Sequence, residues 1–506
     1  MIRRFTAIAA LVLVCVALFS VASCDKLKEK PEVGRYYDVE ADGNHYFVWL
    51  DEYDLDTAKG HYYASEGDSM TFRHDFTALL TRRSITIHSD GTTEKLKSSR
   101  VSYSPYEEPP FEEGDWKLYR KPSYMVTVTR DISYGHAEGY WTSLAGAEQD
   151  VFKVFSKGYV KSFKKHDLDL TLDLYRPDGL SGKKPLILFI HGGAFYIGYK
   201  DEPAYIDFCK YFASMGYVTA SINYRLGFHV SKNEIERAGY VALQDAHAAL
   251  RFLVAHADEY DINPDLIYVA GSSAGGITAL NLAFMRDDER PGSSRGKKAF
   301  LINKADLGDI ATSGNDLRTH FNIVAIANMW GAVSDLNLLN NSHTAIVSFH
   351  GDKDTTVPYA EGYPLSSAGD GVAKMLSEEM FGSACIDKKA EEIGLRHHFY
   401  SFPGEAHAFN TDKNKQPNAN HTFIKERIKD FFFEEQVPEQ AAIHVDGGGR
   451  YSVTGRGISN VQWKAEGGFI LSSSSGKVRV LWCADKPHAL TAVGKYNNSM
   501  DWLATL

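Results

Sequence analysis

Apolar and polar residues follow two different rhythms along this chain, and the rhythm changes near residue 151. From Val33 to about Trp141 the sequence breaks into short stretches such as NHYFVWL, GHYYAS, RSITIHS and YMVTVTR. They are rich in β-branched and aromatic residues, as half-covered strands are. Turn formers such as Pro109-Pro110 separate them. The pattern predicts a small β-rich accessory domain over 33–145.

Beyond residue 151, strands alternate with helices. LDLTLDLYRP, PLILFIHGG and YVTASINYR read as strands, and GYVALQDAHAALRFLVAHADEY places its apolar residues at helical spacing. LIYVAGSS, a helix from about Gly276, and the strands IVAIANMWG and TAIVSFHGD follow. This alternation predicts βαβ units, hence a mostly parallel sheet with flanking helices, over 146–436. The charged, Gly-rich stretch Arg286–Thr319 interrupts it and reads either as a lid beside a site or as an exposed loop. His421–Glu435 reads as a closing amphipathic helix. After Val437-Pro438 the chain turns β-like again, which predicts a second small all-β domain over 440–506.

Length and composition refine this picture. The chain has 506 residues, 44% hydrophobic and 24% charged, enough for about three domains with sizeable cores. A formal net charge of −10 argues against a nucleic-acid partner, which calls for a basic face. The 28 Tyr and 28 Phe serve mostly as core, with some available for a carbohydrate- or aryl-binding surface. Arg3 and Arg4 precede an uncharged run from Phe5 to Val21, then small residues and Cys24. That is the layout of a secretory signal over 1–23. The stretch VASC resembles the lipobox of bacterial lipoproteins. The resemblance implies that Cys24 becomes the lipidated first residue, that 24–32 is a tether, and that the protein is extracytoplasmic and membrane-anchored. Cys209, Cys385 and Cys483 form neither a disulfide framework nor a metal pair and are expected as buried small hydrophobes.

Candidate chemistry concentrates at Gly271-Ser272-Ser273-Ala274-Gly275, a G-x-S-x-G turn between strand and helix. Such a turn holds a serine hydroxyl bare at the carboxyl edge of a sheet, which nominates Ser273 as a nucleophile. His191-Gly192-Gly193-Ala194-Phe195 follows the strand LILFI. Its glycines let backbone N–H groups approach a developing oxyanion. A serine nucleophile needs a base and an orienting acid. His407, in the loop after YSFPG, supplies the first; Asp354 supplies the second, with Asp352 two residues away and Asp335 as a distant further candidate. His397, His398, His343 and His421 have no motif support.

Ser273, Asp354 and His407 in this order, with HGGAF, NYRLG (Asn223–Gly227) and QDAHAALRFL (Gln244–Leu253), resemble the α/β-hydrolase fold. The similarity covers roughly His166–Glu435 and is specific to the carboxylesterase and feruloyl/acetyl-xylan-esterase-like group. The resemblance implies oxyanion N–H groups at Gly193, Ala194 and Ala274, and its HGxxDxxVP spacing favours Asp354 over Asp352. It further implies a serine esterase acting through an acyl-enzyme. The aromatic loop GAFYIGYKDEPAY, the tether, the β modules and the absence of a long apolar segment in Arg286–Thr319 predict short acyl or aryl esters, acetyl or feruloyl, carried by glycans. No metal or organic cofactor is implied. One departure is Ser272, where many relatives carry Glu or Asp.

Two other readings share these residues. A prolyl-oligopeptidase-type serine peptidase has the same fold and order, and a hydrolase fold kept for carbohydrate binding or adhesion is the non-enzyme reading. The stretch VQWKAEGGFILSSSSGKVRVLWC resembles PKD-like, immunoglobulin-type modules, which implies a β-sandwich at the C-terminal end. The aromatic residues of GAFYIGYKDEPAY (Phe195, Tyr196, Tyr199 and Tyr205) either rim the substrate pocket or pack the loop onto the sheet.

Overall fold

In the computed structural model, residues 33–112, 118–142 and 165–506 are described apart from 42–43, 55–56, 67–68, 82–83, 90–91, 97–101, 230–232, 300–301, 370, 372, 375–376, 438–439, 456 and 497–499. The signal segment 1–23, Cys24 and the tether to residue 32 lie outside the described residues. The chain divides into two units, one of residues 117–438 and one of 1–116 with 439–506.

The larger unit is built on eight strands. They are β1 (Val126–Gly139), β2 (His166–Pro177), β3 (Lys184–Ile190), β4 (Val218–Ile222), β5 (Ile262–Ser272), β6 (Ile323–Met329), β7 (Ala345–Gly351) and β8 (His397–Phe402). Their spatial order is 1-2-4-3-5-6-7-8. Strands β3 to β8 are mutually parallel, and β2 runs antiparallel to both β4 and β1. Every residue of β3, β4 and β7 is buried. This is why those strands read as unbroken apolar runs: a central parallel strand is covered on both faces.

Among the described residues, five helices flank the sheet: α1 (Pro203–Ala213), α2 (Glu234–Ala255), α3 (Ala274–Phe284), α4 (Ser383–Ile393) and α5 (Ala419–Gln436). Helix α1 packs against α5, and α2 against α3. The buried side of α2 is rich in alanine (Ala242, Ala246, Ala249), which lets it approach its neighbours closely. The segments NYRLG and QDAHAALRFL meet through one buried ion pair. Arg225 donates from Nε and Nη2 to Asp245 Oδ1 at 3.0 and 2.6 Å.

The stretch 286–319 is strapped to α2 rather than free above the sheet. Arg251, 1% exposed, donates to the carbonyls of Ala311, Leu317 and Ser313 at 2.7, 2.8 and 2.7 Å. Gln244 donates to those of Leu307 and Asp309. Buried side-chain donors thus satisfy a run of loop carbonyls, so the strap is a fixed wall.

Two boundaries differ from the sequence expectation. YMVTVTR does not belong to the N-terminal β domain of 33–145; it begins β1, the edge strand of the hydrolase sheet. A strand's alternation reports that one face is covered but not by what, so the pattern did not reveal its partner. The two β regions are also not separate modules. Strands Tyr36–Ala41, Asn44–Asp54, Thr57–Glu66 and Ser69–Thr81 join Lys477–Cys483 in one 11-stranded sheet. The junction is a parallel pairing of Trp482 with Ser69 and Cys483 with Met70. Phe47, Tyr63 and Met70 share a core with Phe469, Leu481 and Cys483. A stretch of about 65 residues has too much surface for its volume to be stable readily alone, and pooling the two β regions gives them a common core.

Candidate active site

The turn between β5 and α3 carries Ser273 at φ 54, ψ −121, a conformation that non-glycine residues adopt only when the surroundings enforce it. Its N–H is held by the carbonyl of Met329 at 2.9 Å, and its own carbonyl accepts Ile277 N–H. The glycines of the motif have steric causes. A Cβ on Gly271 would overlap the carbonyl of Gly275, and one on Gly275 would overlap the carbonyl of Ile190. Larger residues at either place would push the elbow off β3.

Ser273 Oγ lies 2.9 Å from His407 Nε2, and His407 Nδ1 lies 2.7 Å from Asp354 Oδ2. The three residues follow the ends of β5, β7 and β8 at the carboxyl edge of the sheet, with β6 between β5 and β7. Asp354 Oδ1 accepts the N–H groups of Thr356 and Val357 at 2.8 and 3.0 Å. Burial acts to raise the Asp354 pKa, but hydrogen bonds from His350 and His407 outweigh it and hold the carboxyl well below its usual range. His350 is a residue the sequence reading did not single out. It is fully buried, with Nε2 3.2 Å from Asp354 Oδ2 and Nδ1 2.8 Å from Ser383 Oγ. Its signal was present in HGDKD, four residues before the acid.

The segment after β3 turns sharply, with φ of 105° at Gly193, 50° at Ala194 and 59° at Phe195. Among the described residues, the N–H groups of Gly193, Ala194 and Ala274 have no protein acceptor. Ala194 and Ala274 line the space beside Ser273. Burial lowers the pKa of His191 to about 4, so the ring is neutral. Its Nδ1–H donates to the Gly192 carbonyl at 2.7 Å, and the ring stacks on Tyr224. Tyr224 Oη donates to the His191 carbonyl at 2.8 Å. Of the loop aromatics, Phe195, Tyr196 and Tyr205 are buried and pack the loop. Phe195 also lines the space shared with Ala194 and Ala274, and Tyr199 and Tyr205 line the cavity on the His407 side.

Ser273 stands between two spaces. One, of about 190 Å³, is walled by apolar residues including Leu243, Ile277 and Met285, with Glu236 and Glu289 among its lining. The other, of about 490 Å³, contains His407 and is lined by Tyr199, Asp201, Glu202, Trp330, Asn410 and Lys415. Burial raises the pKa of Glu202, which Lys415 partly offsets.

The remaining candidates sit elsewhere. Asp352 accepts the N–H of Gly404, and Asp335 caps a short 3₁₀ turn through Asn337 N–H. His397 lies 3.1 Å from Asp387. His398 is on the edge strand beside Glu434. His421 is buried between Asp207 and Asn410. Cys209 and Cys483 are buried as expected, whereas Cys385 is half-buried on α4. Among the described residues, no cluster of three or more His, Cys, Asp or Glu side chains is arranged to hold a metal ion.

Residues 172–368 match the BD-FAE family. With the strand order above, this makes the larger unit an α/β-hydrolase fold. The BD-FAE match includes Ser273, Asp354 and the segment His191–Phe195 and ends before His407. The chain is 29% identical over 185 residues to the para-nitrobenzyl esterase of Bacillus subtilis, covering 36% of each. It is 31% identical over 155 residues to gut esterase 1 of Caenorhabditis elegans, covering 30% of this chain and 26% of that protein. The chain thus spans little more than a third of the first of these relatives and about a quarter of the second. Among solved structures, apo esterase 2 of Thermogutta terrifontis is 20% identical over 53% of this chain and 90% of its own, with a TM-score of 0.36.

Proposed function

We propose that this protein hydrolyses carboxylic esters through an acyl-enzyme on Ser273. The observation that carries the reading is the 2.9 Å contact between Ser273 Oγ and His407 Nε2 at a strained turn that lines two cavities. Ser273 Oγ attacks the ester carbonyl as its proton passes to His407 Nε2. The oxyanion is met by the free N–H groups of Gly193, Ala194 and Ala274, a contribution of a few kcal/mol for each well-placed donor. Asp354, kept ionised, holds the imidazolium by Nδ1–H. Collapse expels the alcohol oxygen, which takes the proton from His407; water then repeats the sequence and frees the acid.

Proton delivery also orients the substrate. The leaving oxygen must lie on the His407 side, so the alcohol occupies the larger space with Tyr199, Asp201, Glu202, Asn410 and Lys415. This lining of carboxylate, amide and ammonium groups suits a polyhydroxylated alcohol. The acyl group takes the smaller apolar space. We therefore favour short acyl or aryl esters carried by glycans, acetyl or feruloyl, over long-chain lipid esters. The lipobox-like VASC supports lipidation at Cys24 and an extracytoplasmic, membrane-anchored location.

The test is Ser273→Ala with an organophosphonate label. Hydrolysis should fall at least a thousandfold with the fold intact by circular dichroism, and the label should map to Ser273. Activity within tenfold of wild type would sink the assignment.

A further inference from the structure

The β unit has a cleft of its own. It encloses about 590 Å³ between residues 36–111 and 463–486, more than either space beside Ser273. Its floor is Phe469, 6% exposed, which stacks on Phe47 with centroids 4.0 Å apart. Tyr36 and Tyr106 meet Phe469 edge-on at 5.1 and 5.4 Å, and Tyr106 Oη accepts Ile470 N–H at 3.0 Å. These rings are locked by packing and by a main-chain bond, so little side-chain entropy remains to be lost on binding. Tyr36, Tyr106 and Phe111 are only half-buried and line the cleft.

The polar lining carries both signs equally. Glu108 and Glu466 face it together with Lys464 and Lys486, and Lys464 pairs with Glu466 at 2.9 Å. An anion entering would meet two carboxylates and a cation would meet two ammonium groups. A neutral polyol can donate to the former and accept from the latter. Its flat C–H faces are the apolar surface that aromatic rings cover well. Gly467 and Gly468 line one wall.

We propose that this cleft binds a segment of neutral polysaccharide. The proposal is independent of the reading of Ser273, because it concerns retention rather than turnover. It assigns the β unit the task of holding the polymer whose esters the other unit would process.

Affinity electrophoresis of the full chain through gels containing arabinoxylan, glucomannan or polygalacturonate tests it. At least one of the two neutral polymers should retard the protein, and polygalacturonate should retard it less. Phe111→Ala and Glu466→Ala should each weaken the retention at least tenfold while leaving turnover of p-nitrophenyl acetate unchanged, with the β-sheet circular-dichroism signal and its thermal transition as the folding control for the β unit. The proposal is overturned if neither neutral polymer retards the protein, if polygalacturonate is bound more tightly, or if both folded variants are retained like wild type. Loss of turnover in Ser273→Ala with retention unchanged leaves the proposal standing. Retention without any esterase activity in the wild type would instead count against the catalytic reading alone.

Discussion

The phenol oxygen of Tyr205 lies 2.6 Å from Oγ of Ser272, the residue immediately before the candidate nucleophile. The same oxygen accepts the N–H of Gly192 at 3.2 Å. One hydroxyl on α1 therefore ties the oxyanion segment to the elbow. The partner of Ser272 is thus a buried phenol. Burial raises the Tyr205 pKa far above its ordinary value, so the group remains a neutral donor and acceptor.

Tyr205→Phe removes this tie while keeping the ring in its packed place. A net hydrogen bond is worth about 1 kcal/mol, and a buried partner left unsatisfied costs about 1–3 kcal/mol. We expect kcat for a short ester to drop about tenfold, with a smaller change in KM and a melting temperature within a few degrees of wild type. A kcat equal to wild type would show that the tie does not position the oxyanion segment.

His350 acts on the triad through Asp354. Asp354 Oδ2 lies 2.7 Å from His407 and 3.2 Å from His350, so removing His350 takes away one of the two side-chain donors that hold this oxygen ionised and in place. A hydrogen bond to a charged group contributes about 1.5–3 kcal/mol. His350→Phe should therefore lower kcat about tenfold or more, and His350→Gln, which retains a donor, should recover part of it. If the two variants lose activity equally, His350 is there for packing.

Much of this site was legible in the sequence, because its constraints are local. Gly271 and Gly275 are fixed by contacts within a few residues of the turn or with the end of β3, and each triad member follows a strand of recognisable pattern. What was not legible depends on partners distant in sequence. Val126–Gly139 alternates in the same way whether it closes a sandwich or edges a parallel sheet. Nothing in Met70 or Cys483 announces that one will pair beside the other. Arg286–Thr319 looked loose because its carbonyls are satisfied by Arg251 and Gln244, donors on another helix.

The pH dependence of stability follows from His191. Burial lowers its pKa from 6.5 to about 4. Above pH 6.5 the ring is neutral in both folded and unfolded chains. As the pH falls from 6.5 toward 4, the unfolded chain takes a proton that the folded one refuses, so stability declines across that window. The full loss is about 3 kcal/mol. His247, lowered to about 4 by burial and then by Arg251, acts in the same sense. Urea unfolding at steps from pH 7 to 4 should show this fall, and His191→Asn should make it shallower, leaving the share due to His247. An equal slope in the variant would remove His191 as a cause.

The partition of the two spaces gives the sharpest test of substrate orientation. His407 must hand its proton to the leaving alcohol, and it lines only the larger space. Met285 lines only the smaller and is half-buried, so added bulk there narrows the space without cutting deeply into the core. Met285→Trp should lower kcat/KM for feruloyl esters at least tenfold relative to acetyl esters of the same alcohol. It should leave the preference between methyl and xylosyl alcohols of one acid unchanged. Tyr199→Ala, on the opposite side, should do the reverse: it weakens discrimination between alcohols and spares discrimination between acyl groups. A panel that crosses two acids with two alcohols reads both effects at once. If Met285→Trp shifts alcohol preference, or Tyr199→Ala shifts acyl preference, the orientation must be turned around. The polar space beside His407 would then hold the acid, and the proton route proposed for the leaving group could not stand.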